Sequence, residues 1–337
     1  MSDHQVFALG DVELQSGTVL PDAKLAYKTA GQLSAAQDNA VVIPSYYTGK
    51  HWDNEAYFGA GKALDPDRHF IILTNLFGNG LSSSPSNTPP PHDGPRFPDC
   101  TLYDNVACQQ RLLSEALGVE QVALVAGWSM GAMQAYQWAA QYPDRVGSIL
   151  PICGSAKCSP HNFVFLDSVK VALQADSAWQ GGDYDEPPAA GLKAFARVYA
   201  GWAFSQTFYR EGLYRKLGFD TIEDLMVDWE QDHLAWDAND LLAKLWTWQH
   251  GDISDNEIYE GDFRRALGAI RARAIVLPCS TDLYFTPEDN AIEVSMMANA
   301  ELRVFNSPFG HCVASPGRHH DFMDFLDAAI RDLLNEW

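Results

Sequence analysis

The chain has 337 residues, of which 47% are hydrophobic and 20% charged, so it can bury a substantial core and is not disordered. Its 44 acidic residues outnumber 23 basic ones and give a formal net charge of −21, which repels nucleic acid and anionic lipid surfaces. No apolar run is long enough to cross a bilayer, and the first residues lack the features of a secretory signal. We therefore expect a soluble cytoplasmic protein with neither a nucleic-acid nor a membrane partner.

The first third of the chain has the pattern of strands separated by loops and one helix. Short alternating runs broken by turn residues over 6–33 predict an antiparallel lead-in at a sheet edge. The apolar runs Ala40–Pro44 and His69–Thr74 predict buried strands. A Gly-, Ser- and Pro-rich stretch over 75–91 predicts a long ordered loop, and helical spacing of apolar residues predicts a helix over Tyr103–Leu117.

The next stretch has the pattern of a buried strand that turns sharply into a helix. The apolar run Val122–Val125 leads into Gly127–Gly131 (GWSMG), and apolar residues at helical spacing follow until Tyr142–Asp144. A G-x-S-x-G sequence between a strand and a helix presents its serine hydroxyl above the sheet, and its glycines let the two elements approach closely. This context predicts a nucleophilic Ser129. A tight turn that happens to contain a serine is the alternative.

The character of the chain changes after the following strand. Over 156–261 strand patterns are absent and the segment is helical and rich in tryptophan, which indicates a helical insertion over the edge of the sheet. Alternation then resumes, with predicted elements at Ala274–Cys279 (strand), Thr286–Met297 (helix), Leu302–Phe305 (strand) and Asp321–Leu334 (helix). This order predicts an α/β fold with a mostly parallel sheet flanked by helices. We expect its core in two parts, 1–155 and 262–337, separated by a helical lid over 156–261.

An acid that could serve Ser129 follows a later strand. A serine hydroxyl is a weak nucleophile until a base removes its proton, and an acid orients that base. In this arrangement the acid and then the base follow the serine along the chain. Asp282 comes directly after the strand ending at Cys279 and is predicted as the acid, although it could merely cap its own loop. Its rival Asp289 belongs to Thr286–Asp289, which is typical of a capped helix start.

The base and the oxyanion donors are predicted in the same way. Of the ten histidines, His311 combines the right place in chain order with a glycine-flanked loop after a strand. His319 and His320 open the last predicted helix and are interpreted as polar caps. An oxyanion hole needs two backbone donors, for which the sequence favours the N–H groups of Met130 and Tyr47. For the loop around Tyr47, an ordinary strand exit is the alternative.

Several stretches together resemble the homoserine O-acetyltransferase-like branch of the α/β-hydrolase superfamily. The resemblance runs over most of the chain and rests on Gly127–Ala135, Asn75–Gly80, Asp104–Val106, Trp236–Asp240 and Gly310-His311. It implies an α/β-hydrolase fold with a helical lid, a buried acyl pocket and a homodimer formed through the lid. It also implies a catalytic triad of Ser129, Asp282 and His311.

Four features depart from the pattern of the transferases in this branch. Trp128 stands where they carry glycine, Cys312 where an aspartate holds the substrate amine, and Ser205 near an arginine that holds the substrate carboxylate. Leu81–Ser86 replaces a loop that is rich in glycine, serine and threonine. A neutral thiol cannot pair with an ammonium, and the lost charge-assisted contact amounts to about 1.5–3 kcal/mol.

These observations favour a serine esterase that hydrolyses small, short-chain acyl (acetyl-type) esters through an acyl-enzyme. An acyltransferase that uses acetyl-CoA and homoserine, or another alcohol, is the alternative, and a non-catalytic binding protein of the same fold is a third hypothesis. The six cysteines show neither C-x-x-C nor zinc-type spacing, so we expect mostly reduced thiols and no metal. We expect no cofactor, and a small-molecule ester as the substrate.

Overall fold

The fold is built on one eight-stranded sheet, seen in a computed structural model that describes residues 3–334. The strands are β1 (Gln5–Glu13), β2 (Val19–Ala30), β3 (Ala40–Pro44), β4 (Phe70–Thr74), β5 (Val122–Trp128), β6 (Val146–Ile152), β7 (Arg273–Val276) and β8 (Ala300–Leu302). Their order across the sheet is β1-β2-β4-β3-β5-β6-β7-β8. Residues 1–2 and 335–337, the outermost of the segments expected over 1–155 and 262–337, lie outside the described residues.

The sheet is antiparallel at one edge and parallel elsewhere. β1 pairs antiparallel with β2, and β2 pairs antiparallel with β4, where Tyr27 lies opposite Thr74. From β4 to β8 the pairings are parallel, in a register that sets Leu124 of β5 opposite Ser148 of β6. The predicted antiparallel lead-in and mostly parallel α/β sheet are confirmed.

The central strands are apolar because both faces of the sheet are covered. All residues of β3, β4 and β5 are buried. Alternate side chains enter opposite layers, so Val42 packs in one hydrophobic cluster and its neighbours Val41 and Ile43 pack in the other. A strand covered in this way has a continuous apolar sequence, which is the signal that predicted it.

Helices cover both faces of the sheet and fill the insertion. They are α1 (Leu102–Arg111), α2 (Met130–Gln141), α3 (Pro160–Gln174), α4 (Ala189–Ala203), α5 (Gln206–Arg210), α6 (Ile222–Leu234), α7 (Ala238–Gln249), α8 (Phe263–Ala269), α9 (Pro287–Val294) and α10 (His320–Leu334). One layer holds side chains of α1, α2 and α8, including Val106, Tyr136 and Leu267. The other is covered by α10 through Phe322 and Leu326, as predicted. None of these helices is long and apolar enough to cross a membrane.

Helices α3 to α7 make up the insertion between β6 and β7. Their largest buried side chains, among them Phe165, Phe195 and Trp248, pack in one cluster with Tyr47 from the end of β3 and Met130 from the start of α2. This cluster joins the insertion to the carboxyl ends of the strands. Trp248 of the insertion is therefore a core residue.

The last strands are shorter than predicted. β8 is confined to Ala300–Leu302, so the strand predicted at Leu302–Phe305 is wrong in position, and β7 ends at Val276 instead of Cys279. Isolated bonds continue the pairing, such as that from Arg303 N–H to the Val276 carbonyl at 2.8 Å. The sequence pattern follows apolar side chains, whereas the length of a strand depends on how long two backbones keep a regular ladder.

The helix predicted over Tyr103–Leu117 is regular in its first part only. α1 starts at Leu102, where Thr101 caps it and donates its N–H to the Asp104 carboxylate at 2.8 Å. From Leu112 to Ala116 the backbone has π-helical hydrogen bonds. Leu112 remains on the buried side of this turn, so the spacing of apolar residues does not reveal the change.

Glu293 of α9 is a buried carboxylate that ties the second half of the sheet to the start of the insertion. Its Oε1 accepts the Ala156 N–H at 2.8 Å, and its Oε2 accepts Nδ2 of Asn290 at 3.0 Å. Asn290 Nδ2 also donates to the Gly154 carbonyl at 2.8 Å. Burial raises the pKa of Glu293 to about 7, because the charged form loses its water.

This shift predicts a pH-dependent contribution to stability. The folded chain holds the Glu293 proton up to about pH 7 while the unfolded chain releases it near its ordinary value of 4.5, so stability falls as pH rises between them. Glu293→Gln does not titrate here, so its free energy of unfolding minus that of the wild type should be about 2 kcal/mol larger at pH 8 than at pH 5. Urea unfolding at both pH values measures this. Glu288→Gln, an exposed position on the same helix, is the charge-matched control and should show no such gain.

Candidate active site

Ser129 lies on the turn between β5 and α2 with backbone angles that few residues adopt. Its φ is 58° and its ψ −122°, outside the regions open to most non-glycine residues. A Cβ on Gly127 would come within 2.4 Å of the Gly131 carbonyl carbon, and one on Gly131 within 2.9 Å of the Pro44 oxygen. Only glycine allows strand, turn and helix to close on one another here, as the G-x-S-x-G pattern predicts.

Asp282 and His311 are hydrogen-bonded to one another. His311 Nδ1 donates to Asp282 Oδ2 at 2.7 Å, and Oδ1 of the same carboxylate accepts the N–H groups of Tyr284 and Phe285 at 3.0 and 3.1 Å. Since an ionised carboxylate only accepts, the proton of a neutral His311 lies on Nδ1 and its Nε2 keeps a lone pair. Asp282 therefore caps its own loop and orients the imidazole at the same time.

The rival residues have other contacts. Asp289 donates its N–H to Thr286 Oγ1 at 3.2 Å and so belongs to the capped start of α9. His320 is the first residue of α10. His319 packs against Phe309, with ring centroids 4.6 Å apart. These contacts explain the place of each rival in the fold.

Aromatic rings enclose the imidazole of His311. Trp128, the residue before Ser129, stacks on it with ring centroids 5.0 Å apart and an interplanar angle of 25°. Tyr284 and Phe285 approach it at centroid distances of 4.4 and 5.6 Å. Each of the three predicted triad residues is 4% exposed or less. The structure thus brings the predicted acid and base to one buried place next to the serine turn.

The two expected oxyanion donors come from neighbouring segments. Met130 is the first residue of α2, and the first N–H groups of a helix have no partner within it. Gln134 links this turn to the exit of β3, because its Nε2 donates to the carbonyls of Ser45 at 2.9 Å and Met130 at 3.1 Å. Tyr47 follows Ser45 by two residues. Both backbones therefore reach the same end of the sheet.

The side chain of Tyr47 is anchored in the insertion. Its hydroxyl donates to the Leu241 carbonyl at 2.9 Å, and its ring lies 5.6 Å from that of Trp248. The Nζ of Lys244 lies 5.4 Å from the Tyr47 ring centroid and 3.6 Å from that of Trp236. Helix α7 thus holds the loop that would supply the second oxyanion donor.

Lys244 is a residue that sequence reasoning did not find. It is fully buried, and its Nζ has no hydrogen-bond partner among residues 3–334. Burial lowers the pKa of Lys244 to about 7, although the nearby carboxylate of Asp240 acts in the opposite direction. Asp240 itself accepts the N–H and the hydroxyl of Ser86 at 2.9 and 2.7 Å. The sequence holds one signal for this pair: Asp240 and Lys244 are four residues apart, and residues four apart lie on one face of a helix.

Two of the positions that depart from the transferase pattern have structural partners. The thiol of Cys312 is half-buried, and burial raises its pKa to about 12, so it stays uncharged. Ser205 caps α5 by accepting the Phe208 N–H at 3.0 Å and donates its hydroxyl to the Pro308 carbonyl at 2.5 Å. Ser205 therefore fastens the insertion to the loop that carries His311.

Cys153 is a second residue that sequence reasoning missed. It follows β6, has a φ of 44°, and is fully buried. Its Sγ lies within 4.8 Å of a ring nitrogen of His311 and a carboxylate oxygen of Asp282. A thiol, an imidazole and a carboxylate are possible metal ligands, but here the imidazole and the carboxylate bind each other.

Asp3, His4 and His51 form another group of possible metal ligands, within 4.8 Å of one another. Asn75 sets the tautomer of His51: its Oδ1 accepts the backbone N–H of His51 at 3.0 Å, which points its Nδ2 at Nδ1 of the ring at 3.2 Å. Nδ1 is therefore an acceptor, and Nε2 carries the proton that it donates to Asp3 at 3.1 Å. This tautomer leaves Nε2 without a lone pair for a metal ion.

A cavity of about 240 Å³ opens beside the site. Its lining includes Trp128 and Cys312, the chain neighbours of Ser129 and His311. Residues of α6 and of the segment before it also line the cavity. A substrate bound at Ser129 could extend one of its groups into this space.

Comparison with known proteins identifies the family. The family described as alpha/beta hydrolase fold matches residues 41–313. An ethyl acetate hydrolase of Pseudomonas veronii is 38% identical over 335 residues, which cover 98% of this chain and 95% of that protein. This chain belongs to the α/β-hydrolase fold family.

Further relatives narrow the class. The solved structure of the acetyl esterase MekB matches with a TM-score of 0.96 at 37% identity, covering 99% of this chain and 97% of that one. A homoserine O-acetyltransferase of Nostoc punctiforme is 32% identical over 324 residues, which cover 89% of this chain and 88% of that protein. The predicted fold and the predicted branch, which holds esterases beside homoserine O-acetyltransferases, are confirmed. The chain is a serine ester hydrolase of this branch.

Gly154 offers a test of how tightly the serine turn is packed. A Cβ there would lie 2.3 Å from the Ala132 Cβ and 2.8 Å from the backbone carbonyl oxygen of Ser129. We expect Gly154→Ala to destabilise the fold by about 1–3 kcal/mol through overpacking, and to lower esterase activity by displacing Ser129. Gly201→Ala in α4 is the control, since nothing lies within 4 Å of its added Cβ. That variant should gain about 0.5 kcal/mol, measured by thermal and urea unfolding.

The buried amine of Lys244 predicts a second pH effect of opposite sign. The unfolded chain holds the lysine proton up to pH 10.5 and the folded chain only to about pH 7, so stability rises with pH between these values. Lys244→Met has no amine at this position and therefore lacks this pH dependence of stability. Its stability relative to the wild type should therefore be greater at pH 6 than at pH 9 by about 2 kcal/mol.

Urea unfolding at pH 6 and pH 9 measures the Lys244 effect. Lys216→Met, at an exposed position of the insertion, removes the same charge and serves as the control. Equal stability differences for Lys244→Met at the two pH values would show that the folded lysine titrates as in the unfolded chain.

Proposed function

We propose that the chain is a carboxylesterase that hydrolyses small esters of short acyl groups, above all acetyl esters. The observation that carries this proposal is the hydrogen-bonded pair of Asp282 and His311, enclosed beside the turn that bears Ser129. The relatives add support, since one is named for ethyl acetate hydrolysis and another as an acetyl esterase. The aromatic rings of Tyr284 and Phe285 pack close to His311, which favours a short acyl group over a long one.

In the proposed first half-reaction Ser129 Oγ attacks the ester carbonyl while His311 Nε2 takes the hydroxyl proton. Asp282 accepts the Nδ1 proton and stabilises the imidazolium that forms. His311 then gives the proton to the leaving alcohol, and the acyl group stays on Ser129. The backbone N–H groups of Tyr284 and Phe285 donate hydrogen bonds to Asp282 and keep its carboxylate in place during these steps.

The negative charge of the tetrahedral intermediate needs preorganised donors. We assign this role to the N–H groups of Met130 and Tyr47. Gln134 supports the assignment because it holds both segments together, and the Tyr47 hydroxyl adds a tie to Leu241 in the insertion. Donors fixed before the reaction cost no rearrangement when the charge develops.

In the second half-reaction water takes the place of the alcohol. His311 removes a proton from the water as the water attacks the acyl carbonyl, and then gives that proton to Ser129 Oγ when the bond between Oγ and the acyl group breaks and the acid is released. Acyl transfer to homoserine is the second candidate, and the 32% identical transferase supports it. The neutral thiol of Cys312 and the engaged hydroxyl of Ser205 favour water, because neither can hold the charges of an amino acid.

We further propose a homodimer formed through the insertion and a cytoplasmic location. Three apolar side chains of α3, Phe163, Val164 and Val171, are 42%, 59% and 55% exposed, a patch that a second copy could cover. All six cysteines carry free thiols, which suits a reducing compartment. Sedimentation velocity of the purified chain decides between monomer and dimer.

The function is tested by a paired assay on the purified chain. Hydrolysis of ethyl acetate and p-nitrophenyl acetate is compared with thiol release from acetyl-CoA, with and without homoserine. We expect rapid hydrolysis without homoserine-dependent thiol release. Ser129→Ala and His311→Ala should lower hydrolysis by at least about 10³-fold, and Asp282→Asn by about 10³–10⁴-fold, because the triad acts as a unit.

The matched control is Ser168→Ala, which removes an exposed hydroxyl of α3. It should leave hydrolysis unchanged. Strong homoserine-dependent release of CoA thiol would contradict the esterase proposal in favour of the transferase. Hydrolysis that survives Ser129→Ala would remove this serine from the mechanism.

A further inference from the structure

We propose that the cavity beside Trp128 and Cys312 binds a positively charged alcohol group, so that esters of protonated amino alcohols are the preferred substrates. This inference rests on the proposed esterase function and specifies its substrate class. The first observation in its support is the position of the cavity next to the proposed active site. Because Trp128 and Cys312, the chain neighbours of Ser129 and His311, line the cavity, we place the alcohol part of an ester held at Ser129 in it.

Five aromatic side chains line the cavity. They are Tyr46, Trp128, Phe204, Phe219 and Trp229. Tyr46 packs edge-on against Trp128 with centroids 4.5 Å apart, and Phe204 packs likewise against Trp229 at 5.9 Å. The faces of such rings attract organic cations through their quadrupoles, and walls of this type suit an alkylammonium group better than a hydrated metal ion.

The charged residues that line the cavity also favour a cation. Asp53, Asp228 and Asp232 line it, against the single guanidinium of Arg318 within the lining of this cavity. Burial lowers the pKa of His319, which disfavours its charged form. Burial raises the pKa of Asp53, and the nearby Asp232 adds to the effect, so a bound cation would relieve both carboxylates. An anionic group, such as the phosphates of CoA, is disfavoured here.

His233 adds an acceptor without a partner. It lines the cavity and is 1% exposed. Its Nδ1 lies 2.9 Å from the Trp229 carbonyl, which can only accept, so the proton lies on Nδ1 and Nε2 keeps a lone pair. Within residues 3–334 that Nε2 has no hydrogen-bond partner. Buried polar atoms are normally paired, and an ammonium N–H of the ligand would pair this one.

Two acetate esters of the same shape test the proposal. 2-(Dimethylamino)ethyl acetate is a protonated amine at pH 6.5, and 3-methylbutyl acetate is its neutral analogue. We measure kcat/KM for both, divided by their rates of uncatalysed hydrolysis so that intrinsic reactivity cancels. We expect the charged ester to be preferred at least 10-fold, and the preference to shrink at high salt.

Variants assign the preference to the cavity. The double variant Asp228→Asn/Asp232→Asn changes two exposed positions of α6, and we expect it to bring the ratio of the two esters close to 1. Glu257→Gln/Glu260→Gln removes two exposed carboxylates outside the cavity wall and should keep the wild-type ratio. A wild-type ratio near 1, or a ratio that the Asn variant leaves unchanged, would overturn the inference.

The outcome also separates this inference from the proposed function. If the folded chain hydrolyses neither ester, nor ethyl acetate, the esterase function fails and the preference fails with it. If 3-methylbutyl acetate is hydrolysed well but the charged ester gains nothing, the function stands and the assignment of a cationic alcohol is wrong.

Discussion

The turn at Ser129 is the constraint on which the rest of the structure depends. A non-glycine residue at a φ of 58° and ψ of −122° is strained, and such strain persists only where the surroundings over-determine it. The surroundings here are two buried elements, since every residue of β5 and of α2 is buried. Gly127 and Gly131 remove the side chains that would hold these elements apart, and Trp128 packs against His311 on the other side. The parallel sheet then brings the carboxyl ends of β3, β6 and β7 to the same edge.

The insertion completes the site by holding loops of the core at two points. Ser205 at the start of α5 binds the Pro308 carbonyl and so holds the loop of His311, while α7 receives the Tyr47 hydroxyl at Leu241. Tyr47 and Leu241 belong to a buried cluster that also holds many aromatic side chains of the insertion. Lys244 lies against the rings of Tyr47 and Trp236, and its buried amine lowers stability because it loses its water.

The same scaffold can serve hydrolysis or acyl transfer, and we propose that the difference lies in a few side chains next to the proposed triad. The relatives of this chain include both kinds of enzyme. An acceptor such as an amino acid must be held by charges, but this chain has an uncharged thiol at Cys312 and a serine engaged with the backbone at position 205. The charge that the neighbouring cavity does present is negative, which is suited to a cation and unsuited to CoA.

The sequence by itself determined the order of strands and helices, the serine turn and the chain positions of Asp282 and His311, because local patterns of apolar residues, glycines and caps carry that information. It misplaced the strand at Leu302–Phe305 and did not reveal the π turn, since the limits of these elements depend on backbone pairing. Only the tertiary structure decided that Asp282 caps its loop while binding His311, and that Cys153 lies beside them. The burial of Lys244, and the lack of a partner for Nε2 of His233 among residues 3–334, could not be predicted either, because a side chain's environment comes from segments far away in the chain.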